Sequence, residues 1–463
     1  MQTINWNKGW QFSRLEQPDQ TVRVDLPHDA MLAEPRHAGC PSGVNACWYE
    51  GHDYSYTKTF TAPESWLEQD VFWEFEGVYH NAEVWLNGVQ IAAWRYGYTR
   101  FFAPAGSALR AGENELQVIA RNADQPNSRW YSGAGLYRPV WLHVAPRHHL
   151  KMDGIRIRTI SLEPAVVEVS AEATAAGHLD IDILGVKQSV ETDAAGKAVT
   201  RFTLPGARPW SCEDPQIYCC NVHYRSADGT CEDDAEVSFG VRTIEWGADK
   251  GLLLNGRRVI LRGACIHHDN GILGAACWED AVERKVRLLQ KAGYNAIRSA
   301  HNPCSKALLD ACDRLGMLVM DEFVDCWYIH KTVNDYVNDF AAWWKKDLAA
   351  MVAKDYNHPC VILYSTGNEV SETAQLRGIA LTGQLTRYLH SLDATRPVTC
   401  GVNIFFNFLS SMGFGVYSDE KAKKELESAG KKKKAVGSEF YNNPAGLLGD
   451  KTMKIGATFP ASA

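Results

Sequence analysis

The sequence predicts a multidomain β plus α/β protein: a jelly-roll β-sandwich over 1–148, an immunoglobulin-like β-sandwich over 149–240, and an incomplete TIM-type β/α barrel over 241–463. Three observations predict it. Short alternating runs broken by turn residues fill the chain up to about residue 240. Strand-like and helix-like segments then alternate, the pattern of a parallel sheet. Beyond that point the polar residues best suited to chemistry gather at the ends of the strand-like runs.

The first region contains runs such as Asp70-Val-Phe-Trp-Glu-Phe-Glu76 and Ala82-Glu-Val-Trp-Leu86, with Asn87-Gly88 and Gly112-Glu-Asn114 as turns. Alternation ending in Asn-Gly is a hairpin signal, because that pair tolerates the left-handed backbone of a tight turn. Val166-Val-Glu-Val-Ser170, His178-Leu-Asp-Ile-Asp-Ile183 and Ala198-Val-Thr-Arg-Phe-Thr-Leu204 suit a second, smaller sandwich.

In the third region, strands are expected at Val259–Gly263, Asn295–Arg298, Met317–Asp321, Val361–Tyr364 and Val398–Val402. Helices are expected over Glu279–Ala292, Ser305–Leu315, Asp339–Lys354 and Leu376–Leu392. Ile404–Ser411 reads as an apolar-aromatic loop, and Asp419–Lys434 as a charged helix. Two further short runs, Phe414–Tyr417 and Lys434–Phe440, bring the strands to seven, whereas a closed barrel needs eight. The chain is therefore expected to be truncated.

Bulk properties narrow the function. A net charge of −7 argues against nucleic-acid or anionic-membrane partners, and no apolar run reaches membrane-spanning length. The N-terminus lacks a basic stretch followed by an apolar core, so no signal peptide is expected. The thirteen cysteines include no CxxC pair, and several sit in apolar runs (Cys265, Cys360, Cys400), which favours reduced thiols and a cytoplasmic location. The 15 tryptophans and 18 tyrosines suit sugar recognition, because CH faces of sugars stack on rings, although core packing accounts for most such residues.

Four strand ends carry convergent polar groups: His267-His268-Asp269; Arg298-Ser-Ala-His301-Asn302; Asp321-Glu322 with Asp325; and Asn368-Glu369. The C-terminal strand ends of a β/α barrel form its active face, so residues placed there read as chemistry. A metal site needs three ligands at one point, but adjacent His267 and His268 on a strand face opposite ways. Carboxyl acid–base chemistry therefore ranks above metal hydrolysis. No Gly-rich phosphate loop is present.

Two longer stretches carry a resemblance. Asn295-Ala-Ile-Arg298-Ser-Ala-His301-Asn302-Pro303, running on to Asp313-Arg-Leu-Gly-Met-Leu-Val-Met320, resembles the first signature of glycoside hydrolase family 2. Asp355-Tyr-Asn357-His358-Pro359-Cys-Val-Ile-Leu-Tyr364-Ser365-Thr-Gly-Asn368-Glu369 resembles the second, with Tyr364 where the family usually has Trp. Phe75-Glu-Gly77, Val84-Trp-Leu-Asn-Gly88 and Tyr131-Ser-Gly-Ala-Gly-Leu-Tyr-Arg138 resemble the family's sugar-binding-like jelly roll.

The resemblance implies a retaining exo-β-glycosidase with two carboxyl groups about 5 Å apart. Glu369 matches the general acid/base, and Asn368 the grip on the sugar 2-hydroxyl. His301, Asn302, Asp321 and His268 match the floor of the terminal-sugar subsite, with Arg298 holding the carboxylates. The nucleophile of the family is a second Glu at a later strand end. Glu439, in Val436-Gly-Ser-Glu439-Phe, has that local look, but it follows too few strands, and a nucleophile beyond Ala463 is the competing expectation. The substrate is expected to be an oligosaccharide or glycoside, first a β-galactoside and alternatively a β-glucuronide. A catalytically incomplete chain that only binds carbohydrate is the second class. No cofactor is implied; a bound Mg²⁺ or Na⁺ and a homo-oligomer stay open.

Overall fold

A computed structural model describes residues 1–428. Two sheets face each other in the first sandwich. One has four strands in the order Gln2–Asn5, Val140–Ala145, Asp70–Phe75, Phe101–Pro104. The other has six, in the order Val22–Val24, Trp10–Arg14, Asp53–Ala62, Gly112–Arg121, Ala82–Leu86, Val89–Trp94. Strand alternation decides what is buried: Ala82, Val84 and Leu86 enter the core with Trp10, Trp73 and Phe75. Asn87 and Gly88 both take positive φ, 53° and 79°, and close the hairpin as their identities predict.

The second sandwich packs the sheet of Arg156–Leu162, Ala165–Glu172 and Lys197–Thr203 on a four-stranded sheet centred on Gly177–Ile183 and Tyr218–Ser226. Val167, Val169 and Ala171 meet Leu179, Ile181 and Ile183 in its core. A three-stranded meander over Ile244–Arg258 then leads into five parallel strands, Gly263–Ile266, Ala296–Ser299, Leu318–Glu322, Val361–Ser365 and Val398–Thr399, paired in chain order. Between them run helices α1 (Glu279–Lys291), α2 (Lys306–Leu315), α3 (Val337–Asp355) and α4 (Leu376–Leu392). After the fifth strand come α5 (Ile404–Ser411) and α6 (Asp419–Ser428). Ser305 caps α2 by accepting from Leu308 N at 3.2 Å, and Gly316 ends it with φ 74°.

Three expectations change. The first barrel strand is Gly263–Ile266 rather than Val259–Gly263, because the more apolar run does not pack: Ile260 is 67% exposed. The small residues win the position because a Cβ on Gly263 would already lie 3.0 Å from the Ala296 carbonyl oxygen of the second strand. Ile404–Ser411 is a helix, not a loop. Only Phe406 of it is buried, so the residues show no 3.6-residue stripe; the N-cap Asn403, accepting from Phe406 N at 3.1 Å, was its readable sign. Phe414–Tyr417 forms no strand, and Lys434–Phe440 lies outside the described residues.

The sandwiches are fastened to the barrel through buried polar contacts. Asp29 accepts the barrel amide Ala275 N at 2.7 Å, and Tyr96 donates to Phe323 O at 2.9 Å. Arg138 donates to Pro303 O at 3.0 Å. Asn357 pairs with the second sandwich twice, donating to Ile155 O at 2.7 Å and accepting from Ile157 N at 2.9 Å. Tyr79, Tyr96, Tyr98, Tyr137 and Trp210 share the barrel's own apolar cluster, so residues of the first two domains are part of the barrel's core.

Candidate active site

The fourth barrel strand ends in Ser365-Thr366-Gly367 and then Asn368 and Glu369. Glu369 has φ 43°, a backbone state that costs a non-glycine residue about 1–2 kcal/mol and persists only where neighbours enforce it. Its carboxylate is half-buried and, among the described residues, accepts a bond from Asn403 Nδ2 at 3.1 Å. Asn403 thus caps α5 with its oxygen and steers Glu369 with its nitrogen. Gly401 must be glycine for the same reason: a Cβ there would stand 2.7 Å from Gly367 O and 3.2 Å from both Asn368 Cα and Arg298 Nη2.

Asn368 is buried and held at every polar atom but its backbone N–H by charged groups. Its Oδ1 accepts from Arg298 Nη2 at 2.9 Å, its Nδ2 donates to Asp325 Oδ1 at 3.0 Å, and its carbonyl accepts from Lys331 Nζ at 2.6 Å. Arg298 also donates through Nε and Nη2 to Glu322 Oε2 at 2.9 and 2.6 Å. Glu322 is fully buried and completely used, with Ser365 Oγ also on Oε2 at 2.7 Å and His301 Nδ1–H on Oε1 at 2.6 Å. That bond occupies His301 Nδ1 and leaves Nε2 for another partner. Trp130 of the first sandwich closes the group, its ring 5.5 Å from His301 and 5.2 Å from His267.

The carboxylates around Glu369 are therefore committed. Glu322 serves Arg298, His301 and Ser365. Asp325 is buried against Arg129 and Lys331; burial pushes its carboxyl up, but Arg129 and then Lys331 bring it well below the usual range. Glu372 accepts three backbone amides, Trp327, Tyr328 and Ile329, at 2.9, 2.8 and 3.0 Å and so shapes the loop after the third strand. None of the three has the freedom of an attacking nucleophile. Glu439, the sequence candidate for that role, lies outside the described residues.

Of the residues expected from the sequence, Asn368, Arg298 and His301 come together through Arg298 and Glu322, while the Glu369 side chain meets Asn403. Asp321, His268 and Asn302 do not join them. Side chains alternate along a strand, so Glu322 faces inward with Arg298 while Asp321 faces the helices, accepting from Ser299 Oγ at 3.2 Å and Cys304 N at 3.0 Å. The same alternation puts His267 beside His301 and sends His268 to the domain interface. There it lies between the Tyr98 and Tyr137 rings, with Nε2 donating to Ser132 O at 2.9 Å. Burial pushes the His268 imidazole down to about 3, so it sits there neutral. Asn302 lies with His268 along a cavity of about 20 Å³ behind the strand ends.

The residues missing from the sequence reading are Trp130, Arg129, Lys331 and Asn403. The first two directly precede the Tyr131–Arg138 motif, but nothing in a β-sandwich pattern says which loop reaches another domain. Among the described residues one group has metal-ligand chemistry, Asp313, His358 and Cys360, away from the strand ends. It is satisfied internally: His358 Nδ1 donates to Asp313 Oδ2 and Cys360 N to Asp313 Oδ1 at 3.0 Å. No described helix is long and apolar enough to cross a membrane.

Comparison with known proteins gives one consistent answer. Residues 10–146 match the family description "Glycosyl hydrolase 2 galactose-binding domain-like", 153–242 "Glycosyl hydrolases family 2", and 248–446 "Glycosyl hydrolases family 2, TIM barrel domain". A beta-galactosidase of Bacteroides ovatus is 33% identical over 458 residues, covering 86% of this chain and 54% of the relative. A putative beta-glucuronidase of Formosa agariphila is 31% identical over 421 residues, covering 86% and 40%. Among solved structures, a glycosyl hydrolase family 2 member from Bacteroides cellulosilyticus superposes with TM-score 0.81 at 33% identity, covering 89% of this chain and 58% of the other. A beta-glycosidase from Bacteroides vulgatus gives 0.79 at 31%, covering 87% and 54%. The chain thus spans about half the length of the relatives it matches.

Proposed function

The chain belongs to glycosyl hydrolase family 2, and on that footing we propose that the protein is a retaining exo-β-glycosidase, first of all a β-galactosidase. The observation that carries the reading is Glu369: a half-buried carboxylate in a left-handed backbone state, on a barrel strand end, beside an amide held by two charged groups. A β-glucuronidase is the second reading, favoured by the relative from Formosa agariphila.

In this proposal Glu369 protonates the leaving oxygen of the glycoside and later takes the proton of the attacking water. Asn368 offers a hydrogen bond to the 2-hydroxyl, which strengthens as charge builds on the sugar ring. His301 Nε2 reaches for a further hydroxyl, and the Trp130 ring supplies an apolar face. Arg298 does not touch the sugar; it neutralises Glu322 and orients Asn368. The nucleophile is a carboxylate other than Glu322, Asp325 and Glu372. The thirteen free thiols support a reducing, cytoplasmic location.

A panel of 4-nitrophenyl glycosides tests the reading. Nitrophenol release fastest from the β-galactoside is expected. Faster release from the β-glucuronide selects the second reading. Sugar binding without turnover on any member of the panel overturns both for this chain.

A further inference from the structure

Asn368 stands between partners that permit only one amide orientation. Arginine can donate but not accept, and a charged carboxylate can accept but not donate. With Arg298 on Oδ1 and Asp325 on Nδ2, the amide cannot turn over without setting donor against donor and acceptor against acceptor. The Asp325 side reaches beyond the barrel. Arg129 of the first sandwich forks onto it, Nε to Oδ2 at 2.9 Å and Nη2 to Oδ1 at 2.7 Å. Lys331 reaches Oδ1 at 2.9 Å from the loop after the third strand, and its other bond goes to the Asn368 carbonyl. The Arg129 fork is itself braced: Nη1 donates to Tyr417 OH at 3.1 Å, and the guanidinium lies 5.3 Å from the centre of the Tyr417 ring. Two cations from two domains thus fix one carboxylate, and that carboxylate fixes the amide beside Glu369.

We infer that Asp325, clamped by Arg129 of the first sandwich and by Lys331, positions Asn368 together with Arg298, so that the first sandwich takes part in setting the geometry of the sugar site through an ion pair. The identity of the ligand rests on the glycosidase reading above; the orientation of the amide does not. With Oδ1 occupied and one N–H given to Asp325, Asn368 has a single N–H left to offer. The sugar atom opposite must then accept a hydrogen bond, as a hydroxyl does and an ammonium group does not.

Asparagine-selective ¹⁵N labelling of the whole chain tests this, with the Asn368 side-chain resonances assigned by their loss in Asn368→Asp. In Asp325→Asn and in Arg129→Met these resonances move away from the parent position. Arg129→Lys, which keeps the charge without the fork, moves them part of the way. Unchanged melting temperature and circular dichroism identify folded variants, and Arg129→Met carries the test if Asp325→Asn does not fold. In turnover, the parent's preference in kcat/KM for 4-nitrophenyl β-galactoside over its 2-deoxy analogue falls about tenfold in Arg129→Met, the size of one hydrogen bond. Folded Arg129→Met with parental Asn368 resonances overturns the inference. A parent that turns over neither glycoside counts against the glycosidase reading, while the amide resonances still decide the positioning role.

Discussion

Arg298 and Glu322 form the pivot of the site: Nε and Nη2 of the one meet Oε2 of the other at 2.9 and 2.6 Å, and Nη2 continues to Asn368. They come from the second and third barrel strands, so the pair ties two strand ends together beside Asn368. Glu322→Gln leaves the guanidinium half-buried with no counter-charge. The expected cost is about 3 kcal/mol, the lower end for breaking a buried pair, because Arg298 keeps some water. A matching fall in the urea midpoint of the barrel transition checks it; a midpoint within error of the parent contradicts it.

Glu372 holds three amides of one loop on a single oxygen, Oε1. Glu372→Ala orphans all three at once. Opening of 327–329 becomes about 3 kcal/mol easier, roughly a hundredfold in amide exchange, at the cost of one to three kcal/mol for each buried unpaired group. Hydrogen-exchange mass spectrometry on the peptide containing Trp327 reads this directly, with the jelly-roll peptides as the unchanged reference.

Gly401→Ala puts a methyl against Gly367 O and the Asn368 backbone. The fifth strand has to shift away, and the disturbance lands on the segment that carries Glu369. Sugar binding or turnover is expected to drop by about tenfold or more, while the melting temperature falls by only a few degrees, since overpacking of this size costs about 1–3 kcal/mol. Equal activity in the variant would show that the strand contact is loose.

His268 gives the interface between the first sandwich and the barrel a pH dependence. Burial lowers its pKa from the ordinary 6.5 to about 3, so the folded protein keeps it neutral while the unfolded chain protonates it. Its contribution to stability is complete above pH 6.5 and is lost progressively as pH falls from there toward 3. His268→Phe keeps a ring between Tyr98 and Tyr137 but cannot titrate. The acid limb of its stability curve is expected to be flatter than the parent's, read by tryptophan fluorescence between pH 6.5 and 4.

Helix and strand order in the barrel was legible from the Ser305 cap before α2 and from the apolar face of α1 that carries Val282 and Val286. The placement of single side chains was not. Asp321 and His268 sit next to the residues that matter, Glu322 and His267, and a shift of one residue on a strand reverses the face. The long signature also mixes two duties: Asn368 and Glu369 bond to groups at the strand ends, Arg298, Asp325 and Asn403, whereas Asn357 fastens the second sandwich and His358 pairs with Asp313. Arg129 and Trp130 were hidden for a different reason. Their role depends on how two domains dock, and no local pattern in either domain encodes that.

The central claim is that Glu369 is the proton donor, and azide rescue of Glu369→Ala tests it most directly. Hydrolysis of 4-nitrophenyl β-galactoside is expected to fall by at least about a hundredfold, the usual contribution of a general acid, and azide is expected to restore release with β-galactosyl azide as the product. Hydrolysis at the parent rate, or rescue that yields the α-azide of a lost nucleophile, would contradict the account.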